Sequence, residues 1–192
     1  MRKLSIVEFL TLDGVMQGFA GPAPGDEGFA HLGWGLPYAD ATATEGGTEA
    51  QAGTSAYLFG RRTYQHMAAF WPHQPAENAM ATHLNSTPKY VATRTLTSLE
   101  WSHSQRLEGE LAPAVRALKE SGDGAITVLG SGMVVDQLIG AGLVDAYTLY
   151  VHPLILGTGR RLFGELDEPI GLKLLDVDRT STGVLVLKYA TS

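Results

Sequence analysis

Tyr57-Leu58-Phe59-Gly60-Arg61-Arg62-Thr63-Tyr64-Gln65-His66-Met67 is the stretch on which the reading of this chain turns. Three apolar residues run into a glycine, and two arginines and a threonine follow. Tyr64, Met67, Ala68 and Trp71 then recur at helical spacing. The pattern predicts a buried strand, a tight turn and a helix that opens at once, from Thr63 to about Trp71-Pro72. A helix N-terminus presents unpaired N–H groups and the positive end of the macrodipole, so it suits an anion. Gly60 permits close backbone approach, Thr63 is a candidate cap, and Arg61 and Arg62 can grip phosphate as forks. Taken alone, the turn reads equally well as a solvated surface turn. Matching parts elsewhere in the chain give the phosphate reading its weight.

A second strand–glycine–helix junction lies at Ala125-Ile126-Thr127-Val128-Leu129, followed by Gly130-Ser131-Gly132 and a helix on Val134, Val135, Leu138 and Ile139. Ser131 can cap that helix or touch a ligand, and the backbone N–H groups can meet a pyrophosphate. A third strand, Pro88 to Arg94, ends in Thr93-Arg94, whose guanidinium can reach a further phosphate or stack on adenine. Ligands of open α/β sheets sit at the carboxyl ends of strands. Three phosphate-competent strand ends fit an extended dinucleotide better than a lone phosphate.

Around these junctions, Lys3 to Leu12 reads as a strand closed by Asp13-Gly14. Gln17 to Gly35 reads as a long loop, and Ala41 to Thr54 as a weak helix. Short elements are expected at Leu99 to Trp101 (strand) and within His73 to Leu84 (helix). A helix is expected over Glu110 to Lys119. Val144 to Val151 forms a strand that His152-Pro153 interrupts and Leu154-Ile155-Leu156 continues. Leu172 to Val177 and Val184 to Tyr189 form a hairpin. Strands alternating with helices and closing on an antiparallel pair predict an α/β domain over residues 1–192, with a mixed, mostly parallel central sheet flanked by helices.

The 192 residues carry a formal charge of −6, with 44% apolar and 18% charged residues and no cysteine. Disulfides, thiolate metal sites and a Cys nucleophile are excluded, and the acidic balance argues against nucleic acid or an anionic membrane. No run approaches the roughly 18 apolar residues of a membrane span. Met1-Arg2-Lys3 leads into a strand without a signal-peptide pattern, so a cytoplasmic protein is expected. The six histidines (31, 66, 73, 83, 103, 152) show no metal spacing, and no metal is expected. No Gly-x-Gly-x-x-Gly follows the first strand, no phosphate-loop lysine motif is present, and Gly130-Ser131-Gly132 lacks the spacing of a serine nucleophile elbow.

Taken in order, these segments resemble the dihydrofolate-reductase-fold superfamily, and within it stand-alone proteins similar to the C-terminal reductase domain of the bifunctional riboflavin-biosynthesis deaminase/reductase. Leu12-Asp13-Gly14-Val15 is similar to the Ser-Leu-Asp-Gly motif that closes the first strand there. Leu58 to Tyr64 resembles the Gly-Arg-Lys/Arg-Thr junction, Lys89 to Arg94 the Val-x-Ser/Thr-Arg strand end, and Leu129 to Gly132 the pyrophosphate turn. Val151-His152-Pro153 through Gly157-Thr158-Gly159-Arg160-Arg161-Leu162-Phe163 completes the pattern of the stand-alone subgroup. The resemblance implies NADPH as cofactor. Gly60 and Arg61 to Thr63 would lie by its phosphates, Thr93 and Arg94 by the adenosine 2′-phosphate, and Gly130, Ser131 and Gly132 by the pyrophosphate. Asp13 and Gly14 would border the nicotinamide and substrate.

Trp34-Gly35-Leu36-Pro37 looks like the motif that precedes the pterin-binding carboxylate of dihydrofolate reductases, with Asp40 one residue later than in that pattern and Glu45 as another candidate. Asp13 and Asp40 are the candidate catalytic acids. Arg160 and Arg161 are either a substrate-phosphate subsite or solvated. The expectation is an NADPH-dependent reductase delivering hydride to a small heterocyclic or carbonyl/imine substrate, resembling 5-amino-6-(5-phosphoribosylamino)uracil reductase and dihydrofolate reductase. A non-catalytic NADP(H)-binding protein and a structural dimer without a working site are the alternatives. A homodimer through the C-terminal strands, with Leu149, Val151 and Ile155, is expected.

Overall fold

The computed structural model describes residues 1–23, 25–39 and 53–192. Its strands are β1 (Lys3–Thr11), β2 (Thr54–Gly60), β3 (Lys89–Ala92), β4 (Ser104–Arg106), β5 (Ala125–Val128), β6 (Ala146–His152), β7 (Leu172–Arg179) and β8 (Leu185–Thr191). Its helices are α1 (Arg61–Phe70), α2 (Ala79–Ser86), α3 (Leu111–Glu120) and α4 (Gly132–Gly140). The strands form one sheet in the order β4-β3-β2-β5-β1-β6-β8-β7. β4 through β6 in that order pair in parallel; β8 runs antiparallel to β6, and β7 to β8. The mostly parallel sheet with an antiparallel C-terminal hairpin is the architecture expected from the sequence.

Alternation along the central strands builds a core on both faces, as parallel strands require. Leu4, Ile6, Leu10 and Leu58 pack with Val115 and Leu118 of α3 and Val135 and Leu138 of α4. Tyr57 and Phe59 turn to the other face, against Tyr64 of α1, Leu84 of α2 and Trp101. Asn78 caps α2 by accepting the Ala81 N–H at 3.1 Å.

Several expectations need correction. α1 opens at Arg61, directly after the N-cap Gly60, so Thr63 lies inside the first turn and does not cap. Leu99 to Trp101 is not a strand; the edge strand comes later, at Ser104–Arg106. The apolar signal there marks burial of Trp101, whose backbone N–H donates to the Tyr64 hydroxyl at 3.0 Å. Leu154 to Leu156 does not extend β6, because the chain turns at Pro153. Of the residues expected at a dimer interface, Leu149 is buried in the core, Val151 is partly buried against it, and Ile155 is exposed. The helix expected after Asp40, and Asp40 and Glu45 themselves, lie outside the described residues.

Candidate active site at the carboxyl rim of the sheet

The register of the parallel strands brings the three phosphate-competent junctions to one edge. Gly60, the last residue of β2, lies opposite Ala92, the last of β3, so Thr93 and Arg94 leave the sheet beside the start of α1. Val128, at the end of β5, lies between Leu58 of β2 and Ile6 of β1, so Gly130 leaves at the same rim. A Cβ on Gly60 would overlap the Ser131 hydroxyl and come within 3.0 Å of Val134 Cγ2. A Cβ on Gly130, whose φ is +68°, would come within 3.3 Å of both Thr63 Oγ1 and Glu8 Oε1. One on Gly132 would meet Arg160 Cδ at 3.3 Å. Gly60, Thr63, Gly130, Ser131, Gly132 and Arg160 therefore share one small region.

Two helices start there. Their N-caps, Gly60 for α1 and Ser131 for α4, make no side-chain capping bond, and neither first turn holds an acidic residue. The expected Ser131 cap is absent, and its hydroxyl faces Gly60 instead. Each helix presents its first-turn N–H groups and the positive end of its dipole. Of the basic side chains, Arg61 donates to Gln65 Oε1 at 3.1 Å along its own helix. Arg62 reaches across to Gly25 in the Gln17–Gly35 loop. Arg160 approaches Asp26 of that loop at 3.8 Å, and its backbone N–H donates to Gln17 Oε1 at 3.0 Å. At the far end of the rim, Arg94 Nη2 donates to both carboxylate oxygens of Glu110 at 3.1 Å, in a largely exposed pair. Thr93 Oγ1 accepts the N–H groups of Thr95 and Leu96, each at 3.2 Å, which fixes the turn after β3.

Asp13 occupies a different setting from that of a free acid. Its Oδ1 accepts the Thr11 hydroxyl at 2.6 Å and the Leu156 N–H at 3.2 Å; its Oδ2 accepts the Gly157 N–H at 2.9 Å. Arg161 stands 3.6 Å away and donates from Nε to the Asp13 carbonyl at 2.9 Å. The Thr11 hydroxyl first, and then the two backbone amides, bring its pKa down to about 2. Asp13 and Gly14 (φ +81°) thus tie the turn after β1 to the 156–161 segment, and Arg161, though still exposed, is engaged there.

Glu8 is the site residue that the sequence reading missed. It is buried on β1 beneath Gly130, and its Oε1 has no hydrogen-bond partner. Burial raises its pKa to about 8, offset only in part by the backbone at Phe9 and Gly130, so it holds a proton at neutral pH. The signal was present: Glu8 is the one charged residue in the run from Leu4 to Leu12. His152 is enclosed by Phe9, Phe19, Trp34 and Tyr38. Its Nδ1 lies 3.0 Å from the carbonyls of Leu10 and Tyr150, and burial lowers its pKa. It anchors the Gln17–Gly35 loop and the turn after it to the sheet. No group of three or more metal-ligating side chains occurs among the described residues. None of the helices among them is long and apolar enough to cross a membrane.

Sheet order and strand pairing define a dihydrofolate-reductase-like α/β protein whose carboxyl rim gathers two helix N-termini without side-chain caps. The chain belongs to the RibD C-terminal domain family, which matches residues 2–186. It is 27% identical over 135 residues to the uncharacterized protein YyaP of Bacillus subtilis (strain 168), covering 69% of this chain and 71% of that one. Among solved structures it resembles the deaminase/5-amino-6-(5-phosphoribosylamino)uracil reductase of Thermotoga maritima, with a TM-score of 0.65 and 13% identity, covering all of this chain and 57% of that one. It also resembles the dihydrofolate reductase of Enterococcus faecalis complexed with NADP(H), with a TM-score of 0.58 and 16% identity, over 99% of this chain and 96% of that one. At these identities the structural likeness establishes the fold alone.

Proposed function

We propose that this protein is an NADPH-dependent reductase that transfers hydride to a small heterocyclic or carbonyl/imine acceptor. The observation that carries the reading is the convergence of two uncapped helix N-termini with Gly60 and Gly130 at one rim. A pyrophosphate needs N–H donors and close backbone approach, and this rim offers both. Membership in the RibD C-terminal domain family supports a reductase. The solved relatives' names, one a reductase and one a reductase complexed with NADP(H), support the cofactor.

In this reading Arg61, Arg62, Thr63 and the Gly130-Ser131-Gly132 turn hold the phosphates, and Thr93 and Arg94 hold the adenosine 2′-phosphate. Gly14 and Asp13 set the backbone beside the reacting ring. The nicotinamide supplies the hydride; the protein orients it against the acceptor and excludes water. Asp13, ionised and fully engaged, serves as a positioning residue, and the acceptor takes its proton from solvent or from Asp40. Arg160, close to Gly132, adds positive charge to the pyrophosphate side.

The test is titration of intrinsic fluorescence with NADPH and NADH, followed by NADPH oxidation with a panel of pterin, aminopyrimidine and imine acceptors. Tighter binding of NADPH together with acceptor-dependent oxidation supports the reading; absence of binding by either nucleotide refutes it. Commitment of the Asp13 carboxylate to Thr11, Leu156 and Gly157 favours a second reading, a non-catalytic NADP(H)-binding protein. Binding without turnover on any acceptor would select it.

A further inference from the structure

Asp26 is a buried carboxylate with too few partners. Its side chain is only 8% exposed, and the one ion-pair contact it makes, to Arg160 Nη2, is 3.8 Å long, beyond hydrogen-bond distance. Among the described residues no N–H or O–H group donates to either of its carboxylate oxygens. Glu27, next in the chain, shows the contrast: it is exposed, and its Oε1 accepts the Gly25 N–H at 3.2 Å. Withholding donors from a buried carboxylate is strongly destabilising unless a ligand supplies them. The backbone nevertheless fixes Asp26 in place. Its N–H donates to the Ala23 carbonyl at 3.0 Å, and its carbonyl accepts the Phe29 N–H at 2.9 Å. The Phe29 ring in turn lies 2.8 Å from a Cβ built on either Gly18 or Gly159.

Arg160 ties this carboxylate to the rim. Its Cδ packs on Gly132, the first residue of α4, and its carbonyl accepts the Met16 N–H at 3.0 Å. Asp26 therefore stands beside the Gly130-Ser131-Gly132 turn on the side of β1, away from Thr93 and Arg94 at the end of β3. A phosphate placed against Asp26 would be repelled. A sugar hydroxyl would donate to it and form a charge-assisted hydrogen bond. In a dinucleotide, the donors nearest the pyrophosphate are the vicinal hydroxyls of its two riboses. With the adenosine end at Thr93 and Arg94, the β1 side takes the other ribose. Building on the reductase reading, we propose that Asp26 accepts hydrogen bonds from the hydroxyls of the ribose that joins the pyrophosphate to the nicotinamide, with Arg160 shared between this carboxylate and the pyrophosphate. The loop thus supplies a sugar-recognising carboxylate opposite the backbone N–H groups that hold the phosphates.

The test is a cycle between protein and ligand. Calorimetric titration compares NADP⁺ with its analogue lacking both hydroxyls of the nicotinamide ribose, on the wild type, Asp26→Ala and Asp26→Asn. Adenosine 2′,5′-bisphosphate, which lacks that ribose, is the control, and thermal unfolding by circular dichroism verifies that each variant is folded. The wild type should bind the analogue roughly tenfold or more weakly than NADP⁺, as loss of a charge-assisted contact implies. Asp26→Ala should weaken NADP⁺ by a similar factor and bind the two dinucleotides alike, with the bisphosphate unchanged throughout. The isosteric Asp26→Asn should discriminate less than the wild type, and it serves should Asp26→Ala fail to fold. Undiminished discrimination in the variants overturns the proposal and leaves the cofactor assignment standing. So does a wild type that binds both dinucleotides equally. A wild type that binds neither overturns the proposal together with the reductase reading.

Discussion

Gly60 and Ser131 stand so close that the loop after β5 seats itself on the bare backbone at the end of β2: a Cβ on Gly60 would overlap the Ser131 hydroxyl and lie 3.1 Å from Ser131 Cβ. The φ of Gly60 is −78°, so the position requires glycine for space, not for backbone conformation. Gly60→Ala should therefore separate the two helix N-termini and destabilise the fold by about 1–3 kcal/mol, as overpacking does. Adding Ser131→Gly should recover part of that loss. Urea denaturation of the single and double variants measures both; equal stabilities for Gly60→Ala and wild type would show that the two junctions are not in contact.

Glu8 predicts a pH dependence with a defined sign. An unfolded glutamate releases its proton near 4.5, the folded one near 8. Between those values the native state binds one more proton than the unfolded state, so the contribution falls as pH rises, by about 1.4 kcal/mol per pH unit. Glu8→Gln should remove this slope. Above pH 8 the ionised carboxylate would also lie under the phosphate cradle, so NADPH affinity should fall there in the wild type and hold in Glu8→Gln. Denaturation midpoints and cofactor titrations from pH 5 to 9 check both; identical slopes for the two proteins would contradict the assignment.

Arg94 and Glu110 should act in opposite directions. Arg94→Ala should weaken NADPH by roughly 1.5–3 kcal/mol, the loss expected for a charge-assisted contact, and leave NADH nearly unchanged. Glu110→Gln frees the guanidinium from an exposed ion pair, so it should tighten NADPH by only about 0.2–1 kcal/mol. Calorimetric titration of both nucleotides distinguishes these outcomes. Equal losses for NADPH and NADH in Arg94→Ala would place Arg94 away from the 2′-phosphate.

Asp13→Asn should act on stability. The carboxylate's pKa of about 2, below its ordinary 3.8, stabilises the fold fully above pH 4, and that contribution is lost as pH falls through 2. The variant should lose stability at pH 7 and show a flatter acid limb in thermal unfolding. Unchanged stability with a large loss of turnover would instead mark Asp13 as the proton donor.

The phosphate-competent junctions were legible because they are local: an apolar run, a glycine and a helical period lie within a dozen residues around Gly60 and again around Gly130. Parallel registry, which brings them together, follows from the βα alternation. What escaped depends on partners distant in the chain. Asp13 reads as a turn residue until the N–H groups of Leu156 and Gly157 arrive to donate to its carboxylate. Trp101 gives an apolar signal equally suited to a strand or to a ring buried under Tyr64. Leu149 and Leu174 both sit in apolar strands, and only the strand order separates core from edge. Glu8 was visible as a lone carboxylate in an apolar run, but its meaning required Gly130 above it.

The most direct measurement is a crystal structure grown with NADP⁺. The account predicts pyrophosphate density against the N–H groups of Gly130, Ser131 and Gly132 and the first turn of α1, with the adenosine 2′-phosphate beside Thr93 and Arg94. Density for the dinucleotide on any other surface, or a rim left empty at saturating NADP⁺, would contradict it.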